Sequence, residues 1–495
     1  MCSILKIGAS CTTYYKEAIQ LISDKERTSD DFINDKTILK LLYEAKTKAQ
    51  DKELVNNIIA KAGQYHGLSA SEVAILLEVT DIDILDSMYT VAADIKQNIY
   101  GTRIVLFAPL YISSHCINDC SYCGYRNGNA SQVRHRLSMD EVKKEVEIIQ
   151  SLGHKRLVVE AGEDNVNCSI DYVVDAIKEI YKVKNKNGSI RRVNINVAAT
   201  TIDEYQKLKQ ADIGTYILFQ ETYHRPTYEL LHPAGPKKDY NWHTTAMDRA
   251  MQAGIDDVGI GVLYGLYDYK YDTISMFLHA EHLEKTFGVG PHTISVPRLR
   301  PADSISLETF PHLVNDEDFK KIIAIIRLAV PYTGIILSTR EHPELRDKLL
   351  TYGVSQISAG SCTGVGGYQE TQEAFAATKG AMQFETGDNR SPDEIIAMLC
   401  EKNFIPSYCT ACYRQGRTGD RFMSLAKSGE IQNVCLPNAL LTFKEYLLDY
   451  GDDSLKKIGE TMITKNLASI PQDSVRTETI KRLKKIEEGT RDLYF

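Results

Sequence analysis

RIVLFAPLYISSHCINDCSYCGYR, residues 103–126, joins an apolar β-prone run to a loop that carries three cysteines. The run 103–108 is the first of eight short apolar stretches, the others at 156–160, 193–199, 215–220, 257–262, 292–297, 334–338 and 354–359. Between them lie stretches such as MDEVKKEVEIIQSLG (139–153), IDYVVDAIKEIYKVK (170–184), DEYQKLKQADIG (203–214) and DEDFKKIIAIIRLAV (316–330), with apolar residues spaced by three and four. Eight strand–helix units in about 260 residues suit a closed (β/α)8 TIM barrel. An open doubly wound sheet is the rival architecture. The unbroken run of eight units favours closure, so the fold class expected is α/β.

The flanks of this region read differently. Residues 1–95 carry helical periodicity, and Ser69 followed by Glu72 forms a capping-box pattern. Residues 376–495 are mostly helical and hold three further cysteines. The division expected is therefore a helical N-terminal region (1–95), a barrel (96–375) and a C-terminal domain (376–495). Net charge is -8, which argues against a broad nucleic-acid surface. No run approaches the roughly 20 apolar residues that span a bilayer, and the first residues do not read as a secretory signal.

Eleven cysteines, an odd number, argue against a disulfide framework. Six fall into two sets of three. Cys116, Cys120 and Cys123 follow the first strand with spacing C-x3-C-x2-C, and Cys409, Cys412 and Cys435 have C-x2-C-x22-C. Three thiolates suit three corners of a 4Fe–4S cube and leave one iron open. Zinc is the alternative for each set, completed by His115 in the first or by a residue from elsewhere in the second. Arg414, Arg417 and Arg421 are expected near the second set, where cations would favour thiolates. Cys2, Cys11, Cys168, Cys362 and Cys400 have no partner at ligand spacing.

The first cysteine motif, with the aromatic Tyr122 between its last two thiols, resembles the radical S-adenosylmethionine (SAM) superfamily. EAGED (160–164) resembles that superfamily's Gly-Gly-Glu element, with Ala161 in place of its first Gly. Here the resemblance implies SAM binding at the open iron, contacts from Glu163 to the SAM amino group, and reductive cleavage to a 5′-deoxyadenosyl radical. The other reading of EAGED is a cap for the next helix. More of the chain resembles one family within that superfamily, the tyrosine lyases that mature iron–iron hydrogenase. The matching stretches are FAPLYISSHC, GHKRLVVEAGED, FQETYHRPTYELLHPAGP, GVGPHTISVPRLRPA, ILSTRE, ISAGSCTGVGGY and SYCTACYRQGRTGDRFM.

This second resemblance implies cleavage of L-tyrosine at Cα–Cβ to p-cresol and dehydroglycine, the latter converted to carbon monoxide and cyanide. It implies a second 4Fe–4S cluster, with an additional iron bridged by a non-protein cysteine and ligated by a histidine. It also implies an electron donor, other hydrogenase maturation proteins as partners, and a cytoplasmic, anaerobic setting. The favoured histidine is His292, at the start of the sixth strand and so at the mouth opposite the first set. His279 and His282 are mid-helix rivals. Arg340, after the seventh strand, is expected to grip the substrate carboxylate, unless it pairs with Glu341 or Glu344. Ser358 would assist, and Glu221 and Tyr223 would help bind SAM or close the site. His224 and His232 could line the site or the surface. The tyrosine lyase of thiamine biosynthesis is the alternative, and it lacks the C-terminal cysteine set. A non-catalytic iron–sulfur scaffold is a third reading.

Overall fold

The eight expected strands are all present: β1 (Arg103–Ser113), β2 (Arg156–Ala161), β3 (Arg192–Asn196), β4 (Tyr216–Glu221), β5 (Val258–Val262), β6 (Thr293–Ser295), β7 (Gly334–Leu337) and β8 (Gln356–Ser358). The computed structural model describes residues 28–185, 188–303, 305–369 and 382–495. The readings of Cys2, Cys11 and the first residues of the chain fall outside these. Each strand pairs in parallel with the next, and β8 returns to β1 through Val105↔Gln356, Leu106↔Ile357 and Phe107↔Ser358. The barrel is therefore closed. Strand interiors are apolar because helices cover the outside and side chains fill the inside.

A ninth strand, β9 (Ile405–Ser407), was not legible in the sequence. It pairs in parallel with β1 through Arg103↔Ile405 and Val105↔Ser407. Val105 also pairs with Gln356 of β8, so β9 occupies the opposite edge of β1, below the point where β2 begins at Ala108. This short strand delivers Cys409 to the N-terminal mouth of the barrel.

Helices Asp35–Lys48, Lys52–Ala62, Ala70–Leu77 and Ile82–Tyr100 form the N-terminal layer and pack on the barrel helices Tyr269–Phe287 and Asp316–Ala329. The capping box at Ser69 and Glu72 is formed, a feature worth about 1 kcal/mol. At the other end, Gln432–Asp449 packs against β9, Asp453–Leu467 and Asp473–Glu487. Among the described residues no helix is long and apolar enough to cross a membrane.

Candidate functional site

The strand ends of the barrel open on a cavity of about 190 Å³. Cys116, Cys120, Cys123, Glu160, Glu163, Glu221, Lys237, Arg340 and Ser358 line it. The cysteine loop has little regular structure, so its backbone groups are satisfied by neighbouring loops. Ile117 N donates to Glu163 O (2.8 Å), Ser121 N to Leu231 O (2.9 Å) and Gly124 N to Gln383 O (3.1 Å). Arg134 Nη1 donates to the carbonyls of Ser114 and Tyr125, at 2.7 and 2.6 Å. Burial raises all three thiols, that of Cys123 to about 11. Protein alone therefore leaves them neutral, and a cationic iron centre would ionise them.

EAGED does not cap a helix. The next helix starts at Ile170 with Ser169 as its cap. Gly162 is the position that admits no side chain, because a Cβ there would lie 2.3 Å from His115 O and 3.0 Å from Cys116 Cβ. The essential glycine is thus the second of the element, which accounts for Ala161 in the first place. Glu163 accepts a hydrogen bond from Asn118 Nδ2 at 2.5 Å, and burial raises its carboxyl.

Tyr122 is held by a buried histidine. Its hydroxyl lies 2.8 Å from His232 Nε2, and His232 Nδ1 lies 2.7 Å from Tyr228 O. Burial depresses His232 to about 3, so the ring is neutral. A carbonyl can only accept, so Nδ1–H donates to Tyr228 and Tyr122 donates to Nε2. The hydroxyl is thereby turned to His232. His224, by contrast, is half-buried and stacks on Tyr267, with ring centroids 3.8 Å apart.

Tyr223 is a correction. It does not line the cavity but is wholly buried, with its hydroxyl 2.8 Å from His279 Nδ1. The cause is local. β4 shifts register between Phe219 and Glu221, and Glu221 has φ of 71°, which breaks the alternation of the strand. Glu221 does reach the cavity and pairs with Lys237 Nζ at 2.6 Å. Neither Lys237 nor Glu160 was singled out in the sequence. Burial raises the Glu160 carboxyl to about 7, against the opposing pull of Arg340.

Arg340 does not pair with Glu341, which is taken by Arg298, nor with Glu344, which is exposed. Its guanidinium lies 3.4 Å from the centre of the Phe384 ring, and burial lowers its pKa despite nearby Tyr111, Glu221 and Glu160. The hydroxyls of Ser338, Ser358 and Ser361 are buried along the same cavity without a hydrogen-bond partner among the described residues. Unmet donors beside an arginine suit a bound carboxylate.

A second cavity, of about 60 Å³, lies at the strand starts. Cys409, Cys412, Cys435 and His292 line it together with Arg103, Arg156, Asp257, Tyr413 and Arg417. Of the three arginines expected here, Arg417 faces the thiols. Arg414 is drawn away by Asp492 (2.7 Å), and Arg421 donates to Gly416 O at 3.2 Å. The other cations come from β1 and β2, as Arg103 and Arg156. The Cys412 and Cys435 thiols share a hydrogen bond, and Cys435 is the one driven towards thiolate by it. Burial lowers His292 and raises Asp257. His279 and His282 lie outside both cavities, bound to Tyr223 and Asp248.

None of the nine described cysteines is in a disulfide. Among the described residues no three His, Cys, Asp or Glu side chains converge tightly enough for one metal ion; a cube instead spreads its thiolates over separate corners. Both thiol sets offer the right donors for a cluster. They lie at opposite ends of β1, whose 11 residues span about 33 Å in ten steps of roughly 3.3 Å. Yet their cavities nearly meet. Val105 and Phe107, Arg156 and Val158, Gly334 and Ile336, Gln356 and Ser358 line the lower and upper cavity respectively. On each of these four strands the two lining residues are two apart and so share the inward face.

Residues 110–280 match the model of the radical SAM superfamily, and residues 295–405 that of the Biotin and Thiamin Synthesis associated domain. A crystal structure of HydG, a maturase of the FeFe-hydrogenase, is 62% identical and superposes with a TM-score of 0.90, covering 94% of this chain and 100% of that one. The chain belongs to the HydG family. The HydG structure from Carboxydothermus hydrogenoformans is 38% identical, with a TM-score of 0.79 over 92% of this chain and 100% of its own. The 2-iminoacetate synthase of Salmonella typhimurium is 30% identical over 343 residues, 68% of this chain and 86% of that protein. This HydG-family chain is accordingly a radical SAM enzyme, and that superfamily implies a 4Fe–4S cluster and SAM.

Proposed function

We propose that this enzyme cleaves L-tyrosine at Cα–Cβ, giving p-cresol and dehydroglycine, and directs carbon monoxide and cyanide from the latter to iron for assembly of the iron–iron hydrogenase site. The observation that carries the reading is the placement of two three-cysteine sets at opposite mouths of one barrel, on cavities lined by residues two apart on the same four strands. Cys116, Cys120 and Cys123 would hold the SAM-binding cluster. When bound, that cluster and SAM supply a carbon radical able to abstract hydrogen from the substrate. Tyr122, Glu163 and Glu221 would contact SAM, Tyr122 through its ring because its hydroxyl is spent on His232.

Arg340 grips the substrate carboxylate, steadied by the Phe384 ring, while Ser358 adds a hydroxyl donor. Glu160 faces Arg340 with a pKa near neutrality and can hold or release a proton beside the substrate amine. The enclosing barrel keeps water from a reactive species. Cys409, Cys412, Cys435 and His292 would hold the second cluster and its extra iron, bridged by a non-protein cysteine. An electron donor and the other maturation proteins are the partners this requires.

A 2-iminoacetate synthase-like role is the second reading, favoured by the Salmonella relative. Against it stands coverage. That relative aligns with 68% of this chain, whereas the two HydG structures cover 94% and 92%. Replacing Cys412 with Ala tests the division of labour. The variant should form p-cresol at the wild-type level and release several-fold less carbon monoxide; equal loss of both products would refute it.

A further inference from the structure

The two oxygens of Asp257, at the foot of β5, have different fates. Oδ1 accepts from the Thr215 hydroxyl at 2.9 Å. Oδ2 is buried without a hydrogen-bond partner among the described residues and lies 3.8 Å from His292 Nδ1. The Thr215 hydroxyl has one hydrogen, already given to Asp257, so Tyr413, 3.0 Å away, must donate to Thr215. A directed chain therefore runs from Tyr413, next to Cys412, through Thr215 to Asp257. Its free end lies within ion-pair distance of the imidazole, beyond a direct hydrogen bond. Phe422 packs edge-on against that ring, with centroids 4.6 Å apart.

We propose that Asp257 is a positioning residue for His292. Its carboxylate holds the Nδ1–H tautomer and so presents the Nε2 lone pair to iron at the thiols of Cys409, Cys412 and Cys435. The inference rests on the reading of His292 as an iron ligand. A histidine that binds metal commonly donates its other ring N–H to a carboxylate, which fixes tautomer and orientation. Here the carboxylate is itself fixed, because Thr215 and Tyr413 tie it to the helix that carries Cys412.

Asp257→Asn is informative because of that chain. With Tyr413 still donating to Thr215 and Thr215 to position 257, the amide oxygen takes the Oδ1 position and the NH2 group faces His292. The ring must then accept at Nδ1 and carry its hydrogen on Nε2, the wrong tautomer for a ligand. The experiment uses the full chain with both thiol sets reconstituted, 15N-labelled in histidine and titrated with ferrous iron plus free cysteine. Wild type should show a histidine 15N coupling to the second-site spin that disappears in His292→Ala. D257N should bind the iron about 10–100-fold more weakly and lose or alter the coupling, and D257E should recover most of both. Wild-type coupling and iron retention in D257N would overturn the proposal. Absence of any histidine coupling in wild type, or its survival in His292→Ala, would remove the ligand reading and the proposal with it. Circular dichroism and iron at the first site serve as the fold check. If D257N fails it, Thr215→Val, which keeps the charge but unhooks Oδ1, takes its place; unchanged coupling there would likewise overturn the proposal.

Discussion

Replacing Arg340 with Gln should weaken tyrosine binding by about two orders of magnitude without dismantling the barrel. Arg340 has no ion pair among the described residues and sits over Phe384, 3.4 Å from the ring centre, so its donors are kept for a ligand. A buried, charge-assisted pair is worth roughly 2–5 kcal/mol on truncation of one partner. Taking about 3 kcal/mol gives a factor of about 150 at 1.36 kcal/mol per decade. Arg340→Lys keeps the charge but loses the planar fork and its stacking, and should fall between the two. The assay is p-cresol formation against tyrosine concentration, with 5′-deoxyadenosine measured in parallel. KM should rise about 150-fold in the Gln variant, with 5′-deoxyadenosine formed out of proportion to p-cresol. A KM within threefold of wild type would refute the assignment of Arg340 to the substrate carboxylate.

Two further predictions follow from the same cavity. Gly162→Ala places a methyl 2.3 Å from His115 O, an overpacking of about 1–3 kcal/mol, and should strip iron from the first thiol set while sparing the second; equal iron at both sets, measured by Mössbauer spectroscopy, would contradict it. Glu160 has its pKa raised by burial from 4.5 to about 7, so its contribution to stability is intact below 4.5 and is lost as pH rises through 7. Glu160→Gln should therefore match wild type near pH 4.5 and become more stable by roughly 3 kcal/mol above pH 7. Urea unfolding of cluster-free protein across that range checks this, and a difference independent of pH would oppose it.

Most of the barrel is legible in the sequence because its signal is periodic. Eight apolar runs alternate with amphipathic helices, and each run became a strand within a few residues of its expected bounds. β1 continues to Ser113, past the point read as its end, because pairing with β2 carries it through Pro109. β9 escaped because three residues with Pro406 at the centre carry no period. In the sites, the grouping of the cysteines was legible from spacing, and the place of His292 at the strand starts from its position at the start of β6, once the family resemblance had called for a histidine. Lys237, Glu160 and Asp257 were not, since each acquires its place from a partner distant in sequence: Glu221, Tyr111 and Thr215. Tyr223, two residues past the end of β4, turns to His279 and away from the cavity after the positive φ of Glu221. Arg414 misled for a different reason, because Asp492 lies 78 residues along the chain.

The most direct test replaces each cysteine trio with Ala in turn and records the electron paramagnetic resonance of the reduced protein with and without SAM. Loss of Cys116, Cys120 and Cys123 should leave one cubane signal that SAM does not perturb, and loss of Cys409, Cys412 and Cys435 should leave one that SAM does. A single trio that supported both signals, or a SAM response from the C-terminal trio, would contradict two separate iron–sulfur sites at opposite mouths of the barrel.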